Sequence, residues 1–352
     1  MSTLRRFVAW ALKHELDPEN IRAQLAAVDV PVSESPCRAC ADPCEDGHAE
    51  YPGRFKVDME TQMLGSVDTY RRQVLISTAA TDWSPEITWA RGSLASHLSS
   101  AVSRIKSPAP TPESAEVSAA GVFTPSSSTE ISILNANHAT IADDADADTV
   151  LVFPDYVAVA GVARTRSGAQ LLCREALNPE VPRILGAKAE GSELQTWALP
   201  YACVITMCSH KRRDARCAIA APKLAAAFTE SLQRRGWSVD SRLEPEHFLE
   251  PPIEDFRGTH TEREAHVLHA LKTAQTSQCA LILFTSHSGG HKYAGLTTIY
   301  TPGGASVWYG RVTPHNVEAI VEETIVGGRI LPALLRGGMG IAKPGCKSLH
   351  DW

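Results

Sequence analysis

Two cysteines and two histidines stand where they could share a metal. Cys208 and Cys217 bracket the loop CSHKRRDARC, and His287 and His291 lie in SHSGGHKYAG. Each motif directly follows an apolar run that reads as a strand. Thiolates need positive surroundings to stay deprotonated, and Lys211, Arg212, Arg213 and Arg216 lie between the cysteines. Gly289 and Gly290 let the backbone turn tightly between the histidines. Two Cys and two His at separate strand-to-loop junctions suit either a Rieske-type [2Fe–2S] centre or a tetrahedral zinc site. Cys173, Cys203 and Cys279 read as small core residues. His210, His247, His260, His266, His269 and His315 read as structural.

A second group, Cys37, Cys40, Cys44 and His48, lies near the start of the chain. The C-x-x-C pair Cys37/Cys40 could exchange disulfides as a thiol–disulfide oxidoreductase. Such a pair normally opens a helix after a strand, whereas this one sits in a proline-flanked loop. Zinc binding with His48, or packing alone, are the other readings.

The elements that must position these residues follow from hydrophobic patterning. Strands are expected at Gln73 to Thr78, Ile131 to Leu134, Val150 to Phe153 and Tyr156 to Val162, and helical character over Glu86 to Val102. Further strands are expected at Ala198 to Met207, Ala280 to Phe284, Thr297 to Tyr300 and Ser306 to Tyr309. Helices fit Pro222 to Arg235, stopped by Gly236, then 261–276, and Pro314 to about Thr324. Residues 107–129 are rich in Ser, Pro and Ala and read as a disordered insertion. The order implies an α/β protein: an N-terminal segment over 1–50, an α/β domain over 51–196, a thioredoxin-like domain over 197–326 and a tail over 327–352.

The 352 residues suffice for two domains with their own cores. A net charge of -6 and a pI near 6.1 argue against a nucleic-acid partner. No apolar run approaches the roughly 20 residues of a membrane span. Nine cysteines without an export signal favour metal or redox use over disulfides. The segment through Leu12, with Arg5 and Arg6, reads either as a weak mitochondrial presequence or as an amphipathic surface helix ending near Pro18; a cytoplasmic location is expected.

At the ligand motifs the sequence resembles the sucrase/ferredoxin-like family of thioredoxin-like ferredoxins. The likeness rests on CSHKRRDARC, HSGGHKYAG, IYTPGGASVWYGRVTP (299–314) and RGG at 336–338, and in the first domain on FKVDMETQMLGSVDTYRRQVLIST and Asp82-Trp83. It implies a thioredoxin-like ferredoxin fold for the C-terminal domain and a [2Fe–2S] cluster held by Cys208, Cys217, His287 and His291. Where the family pattern has Asn, this chain has Leu296. The residues Leu349, Asp351 and Trp352 resemble the signal by which cytosolic iron–sulfur proteins reach their assembly machinery's targeting complex. No paired carboxylates support glycoside hydrolysis. The expected function is one-electron transfer with an unidentified reductase as donor and an unidentified acceptor, since no Gly-rich dinucleotide fingerprint occurs. A structural zinc protein using the same four ligands is the alternative.

Overall fold

Apolar runs with no polar face to offer solvent become strands buried on both sides, as in RQVLIS and CVITMC, where every residue is buried. The computed structural model describes residues 18–104, 119–178 and 194–351. In the N-terminal half, helix α1 (Pro18–Ala26) precedes β1 (Arg72–Ser77), α2 (Leu94–Val102), β2 (Val122–Phe123), β3 (Ile131–Ala136), β4 (Ala147–Phe153), β5 (Val157–Ala163) and α3 (Arg166–Leu172). The C-terminal half supplies β6 (Gln195–Ala198), β7 (Cys203–Cys208), α4 (Ala215–Arg234), β8 (Ser238–Asp240), α5 (His260–Gln275) and β9 (Cys279–Thr285). It continues with β10 (Thr297–Tyr300), β11 (Ser306–Tyr309), α6 (Pro314–Ala319), which runs into a wider π-helical turn, and β12 (Leu335–Met339).

All the described strands join one mixed sheet in the order β2-β12-β11-β10-β7-β9-β3-β1-β4-β5-β6, with β8 beside β9. Helices cover both faces. Ile205 and Met207 of β7 pack under α4 through Leu224, Phe228 and Leu232, while Val204 points to the opposite face with Val267 and Leu271 of α5. In the other half, Val74 and Ile76 of β1 face α2 and α3, and Leu75 faces the shared central core. No described helix is long and apolar enough to cross a membrane.

The two halves share this sheet instead of separating at residue 196. The seam is one antiparallel pair, Ala136↔Thr285, between β3 and β9. Asn137 reinforces it by accepting from the Phe284 N–H at 2.7 Å through its side chain, and Phe153 stacks on Tyr300 across it at 3.9 Å. The N-terminal half has its own buried ion pair, in which Arg72 forks onto Asp155 with both contacts at 2.9 Å.

Several expected boundaries move. The helix expected over Glu86 to Val102 is a single turn at Ile87–Trp89 and then α2, restarted by Ser93, whose hydroxyl accepts from the Ser96 N–H. The strand expected over Ala198 to Met207 is two strands, β6 at the sheet edge and β7 near its middle. Helix α4 begins at Ala215 because Asp214 caps it, and burial of its apolar stripe outweighs the interior Pro222. Within residues 327–352, read from sequence as a tail, Leu335–Met339 form β12, which lies buried between β11 and β2. Of the insertion expected over 107–129, part lies outside the described residues and Val122–Phe123 forms β2. The N-terminal helix through Leu12 and the terminal Trp352 also lie outside them.

Candidate metal centres

Strands β7 and β9 are adjacent and parallel, with Cys208 opposite Thr285, so both chains leave the sheet at the same edge. Loops after neighbouring parallel strands converge, and this is where open α/β sheets place ligands. One loop begins at Cys208 and returns Cys217 in the first turn of α4. The other carries His287 and His291.

Both cysteines are buried and free, and they pack with Met63, Tyr293 and Leu296. Cys217 donates to the Cys208 sulfur. That bond holds Cys208 well below the ordinary thiol range against the effect of burial, with His287 assisting. The same bond, with burial, raises Cys217. His287 is half-buried and its Nδ1 is shielded from solvent with no hydrogen-bond partner. His291 is exposed, its ring 5.3 Å from that of His287. The cysteine side of the site therefore faces the core and the histidine side faces out.

Gly289 and Gly290 both take positive φ, +78° and +71°, a conformation that favours glycine. A Cβ on Gly290 would lie 2.2 Å from Nη2 of Arg336. Arg336, in β12, is buried at 3% exposure and binds the Gly289 carbonyl at 3.3 Å and the Ser66 carbonyl at 2.7 Å. Burial lowers its pKa to about 10, so it stays charged at neutral pH. Its cation lies close enough to Cys208 to act on it electrostatically.

Arg336 takes the part expected of the loop cations. Arg212 pairs with Asp82, Arg213 with Glu86 and Arg216 with Asp214, while Lys211 is exposed. The first two pairs pin the cysteine loop to the N-terminal half. Ser209 adds a bond to the Thr81 carbonyl at 2.7 Å. Asp82 and Trp83, noted in the sequence only as a shared motif, are thus the anchor for this loop. Arg336 could have been suspected from sequence as a lone cation inside an apolar, glycine-flanked strand. Arg311 is structural: it binds the carbonyls of Asp58 and Thr61.

The N-terminal cysteines separate. Cys37 packs on the main core, with Ala333 backbone as its hydrogen-bond partner, whereas Cys40 faces His315. The C-x-x-C pair is thus drawn toward different neighbours. Cys40, Cys44, His48 and His315 instead form a Cys2His2 group able to hold a metal ion, with all four ligand atoms within 4.8 Å of one another. His315, read from sequence as structural, completes this group from α6. At the other end of the chain Leu349 is fully buried and its N–H bonds the Gly328 carbonyl at 2.8 Å; Asp351 is exposed.

Residues 63–337 match the family described as sucrase/ferredoxin-like. The chain is 34% identical over 137 residues to altered inheritance of mitochondria protein 32 of Debaryomyces hansenii, covering 38% of this chain and 35% of that protein. It is 31% identical over 134 residues to the protein of the same name from Clavispora lusitaniae, covering 38% and 34%. It is 32% identical over 123 residues to actin patches distal protein 1 of Saccharomyces cerevisiae, covering 35% and 29%. The match thus spans about a third of each relative's length. No solved structure matches.

Proposed function

Since the chain belongs to the sucrase/ferredoxin-like family, we propose that Cys208, Cys217, His287 and His291 hold a [2Fe–2S] cluster and that the protein is a one-electron carrier. The observation that carries this reading is the convergence of a buried, hydrogen-bonded cysteine pair and a histidine pair at one sheet edge, with His287 Nδ1 buried and unpartnered. A buried imidazole nitrogen without a partner is costly unless something binds it. The donor set also fits, since thiolates and imidazoles are the ligands of mixed iron–sulfur centres.

When bound, such a centre supplies one-electron chemistry at a potential raised by its neutral imidazole ligands, roughly -150 to +300 mV for Rieske centres against about -400 mV for plant-type ferredoxins. The chain's own residues do the rest. Met63, Tyr293 and Leu296 exclude water from the sulfurs, Arg336 offsets negative charge, and exposed His291 offers the side from which a redox partner approaches. A single zinc ion at these four residues is less well supported. Among the described residues, Cys40, Cys44, His48 and His315 form the one group of ligand atoms gathered as one ion requires.

The C-terminal half is read as thioredoxin-like. Supporting this, strands β8-β9-β7 are parallel and β10-β11 form an antiparallel hairpin beside them. Delivery of the cluster by the cytosolic assembly machinery is part of the proposal, in a narrower form: Leu349 is held in the core, which leaves Asp351 as the exposed described residue for a partner to read.

The test is anaerobic purification followed by visible spectroscopy and electron paramagnetic resonance after dithionite reduction. A red-brown protein with a Rieske-like signal, shifted in His287→Cys and His291→Cys, is the expected result. A colourless protein whose zinc is lost in Cys208→Ser would replace this reading with the structural-zinc one.

A further inference from the structure

We propose that Cys40, Cys44, His48 and His315 form a tetrahedral zinc site that fastens an N-terminal strap, residues 33–66, to helix α6. The inference goes beyond the cluster reading and does not depend on it. Two sulfurs and two imidazole nitrogens, gathered within 4.8 Å, are the donors that select zinc over calcium or magnesium. Three residues separate Cys40 from Cys44, a C-x3-C spacing within the range common to structural zinc sites.

The orientation of each donor supports the site. Nδ1 of His315 lies 3.3 Å from the Cys40 sulfur, and Nδ1 of His48 lies 3.1 Å from the Cys44 sulfur. The opposite nitrogen of His315, Nε2, lies 2.8 Å from the carboxylate of Glu50. A carboxylate behind a histidine fixes the tautomer that leaves the other nitrogen free to bind metal. Arg38 donates from Nε to the Cys40 sulfur at 3.2 Å. His315 is buried while the other three are half-buried. A cleft of ≈ 500 Å³ between the strap, α4 and α6 opens onto the group and offers an ion a way in.

The place of the site explains what a metal would do there. Before it, Ser33 and Ser35 bind Glu323 at 2.8 and 2.7 Å. After it, the strap crosses the cysteine–histidine edge. Arg216 donates to the Lys56 carbonyl at 2.7 Å, Asp58 N–H to the Lys292 carbonyl at 2.8 Å, and Tyr293 to the Gln62 carbonyl at 2.7 Å, before Met63 packs on Cys208 and Cys217. These are polar, partly exposed contacts in a segment with no helix or strand of its own from residue 33 to 66. Zinc would add a strong fixed point between the packing of Cys37 on the main core and that of Tyr51 and Phe55.

Zinc and iron per chain are measured on the full-length protein expressed with both metals supplied, together with zinc K-edge absorption. The expected result is one zinc in a shell of two sulfurs and two nitrogens, lost in Cys40→Ser/Cys44→Ser while iron is retained. Glu50→Gln, which should fold in any case, is expected to weaken zinc binding roughly 10- to 100-fold in a chelator competition. Zinc that survives Cys40→Ser/Cys44→Ser, or unchanged affinity in Glu50→Gln, overturns the proposal. So does zinc that leaves with Cys208→Ser/Cys217→Ser, or a metal-free protein with a Cys40–Cys44 disulfide. A colourless protein whose zinc follows Cys40 and Cys44 would sink the cluster reading and leave this one standing.

Discussion

His210 accepts the backbone N–H of His287 on its Nδ1 at 3.1 Å and donates from Nε2 to the Trp83 carbonyl at 2.9 Å. The ring is fully buried, and its two bonds set which nitrogen accepts and which donates. It joins the cysteine loop, the histidine loop and the Asp82-Trp83 anchor. His210→Ala is therefore expected to lower cluster affinity roughly 10- to 100-fold, seen as iron per chain after a chelator challenge. His210→Gln keeps one donor and one acceptor and is expected to restore most of it. Equal loss in both variants, with native-like circular dichroism, would show that the ring is needed for bulk alone.

Gly289 and Gly290 look alike in sequence but differ in surroundings. Gly289→Ala meets no atom within 4 Å and carries only the strain of a positive φ, on the order of 1–2 kcal/mol. Gly290→Ala has the same strain and also drives a methyl into the Arg336 guanidinium. Chemical denaturation and iron content should rank Gly290→Ala well below Gly289→Ala. The reverse order would mean that Arg336 can move aside freely.

Arg336 has no carboxylate partner at ion-pair distance among the described residues, and it binds two carbonyls and the Ser66 hydroxyl. In Arg336→Met the positive charge near Cys208 is lost, so the midpoint potential is expected to fall by several tens of millivolts. Stability should fall by about 2–4 kcal/mol, because buried carbonyls lose their donor. Protein-film voltammetry reads the potential, and an unchanged value would show that solvent screens the cation from the site.

His138 gives a pH dependence remote from any ligand. It is fully buried, its Nε2 donates to the Thr149 carbonyl at 3.3 Å, and burial lowers its pKa to about 4. In the unfolded chain the value is near 6.5, so between these limits the unfolded state binds the extra proton. Stability is complete above about pH 6.5 and declines as pH falls toward 4, by about 3 kcal/mol in all for this residue. Urea titrations should show a smaller acid loss in His138→Gln than in the parent protein. Parallel curves would assign the acid sensitivity to other groups.

Much of the sheet was readable because its strands are largely apolar runs, and the two Cys and two His proposed as cluster ligands stand out because each loop directly follows such a run. What escaped depends on contacts distant in sequence. Val122–Phe123 has no strand pattern and exists only because β12 pairs with it. Pro222 reads as a helix start, yet the cap at Asp214 lies about two helical turns before it. The cations of CSHKRRDARC promised a positive field, but Asp82, Glu86 and Asp214 neutralise three of them. His315 lies 267 residues after His48, and nothing local marks it as that residue's partner.

The seam between β3 and β9 gives the first half of the chain a mechanical part in holding the candidate site. Ala136 pairs with Thr285, and Asn135 takes the Ser286 N–H at 2.8 Å while giving its own N–H to the Ser286 hydroxyl at 3.0 Å. Ser286 immediately precedes His287. The N-terminal half thus acts as a splint on the last residue before the histidine loop, and a force that parts the halves pulls on that loop. The cysteine loop is tied to the same half through Ser209 and Arg212, so both ends of the site share that load.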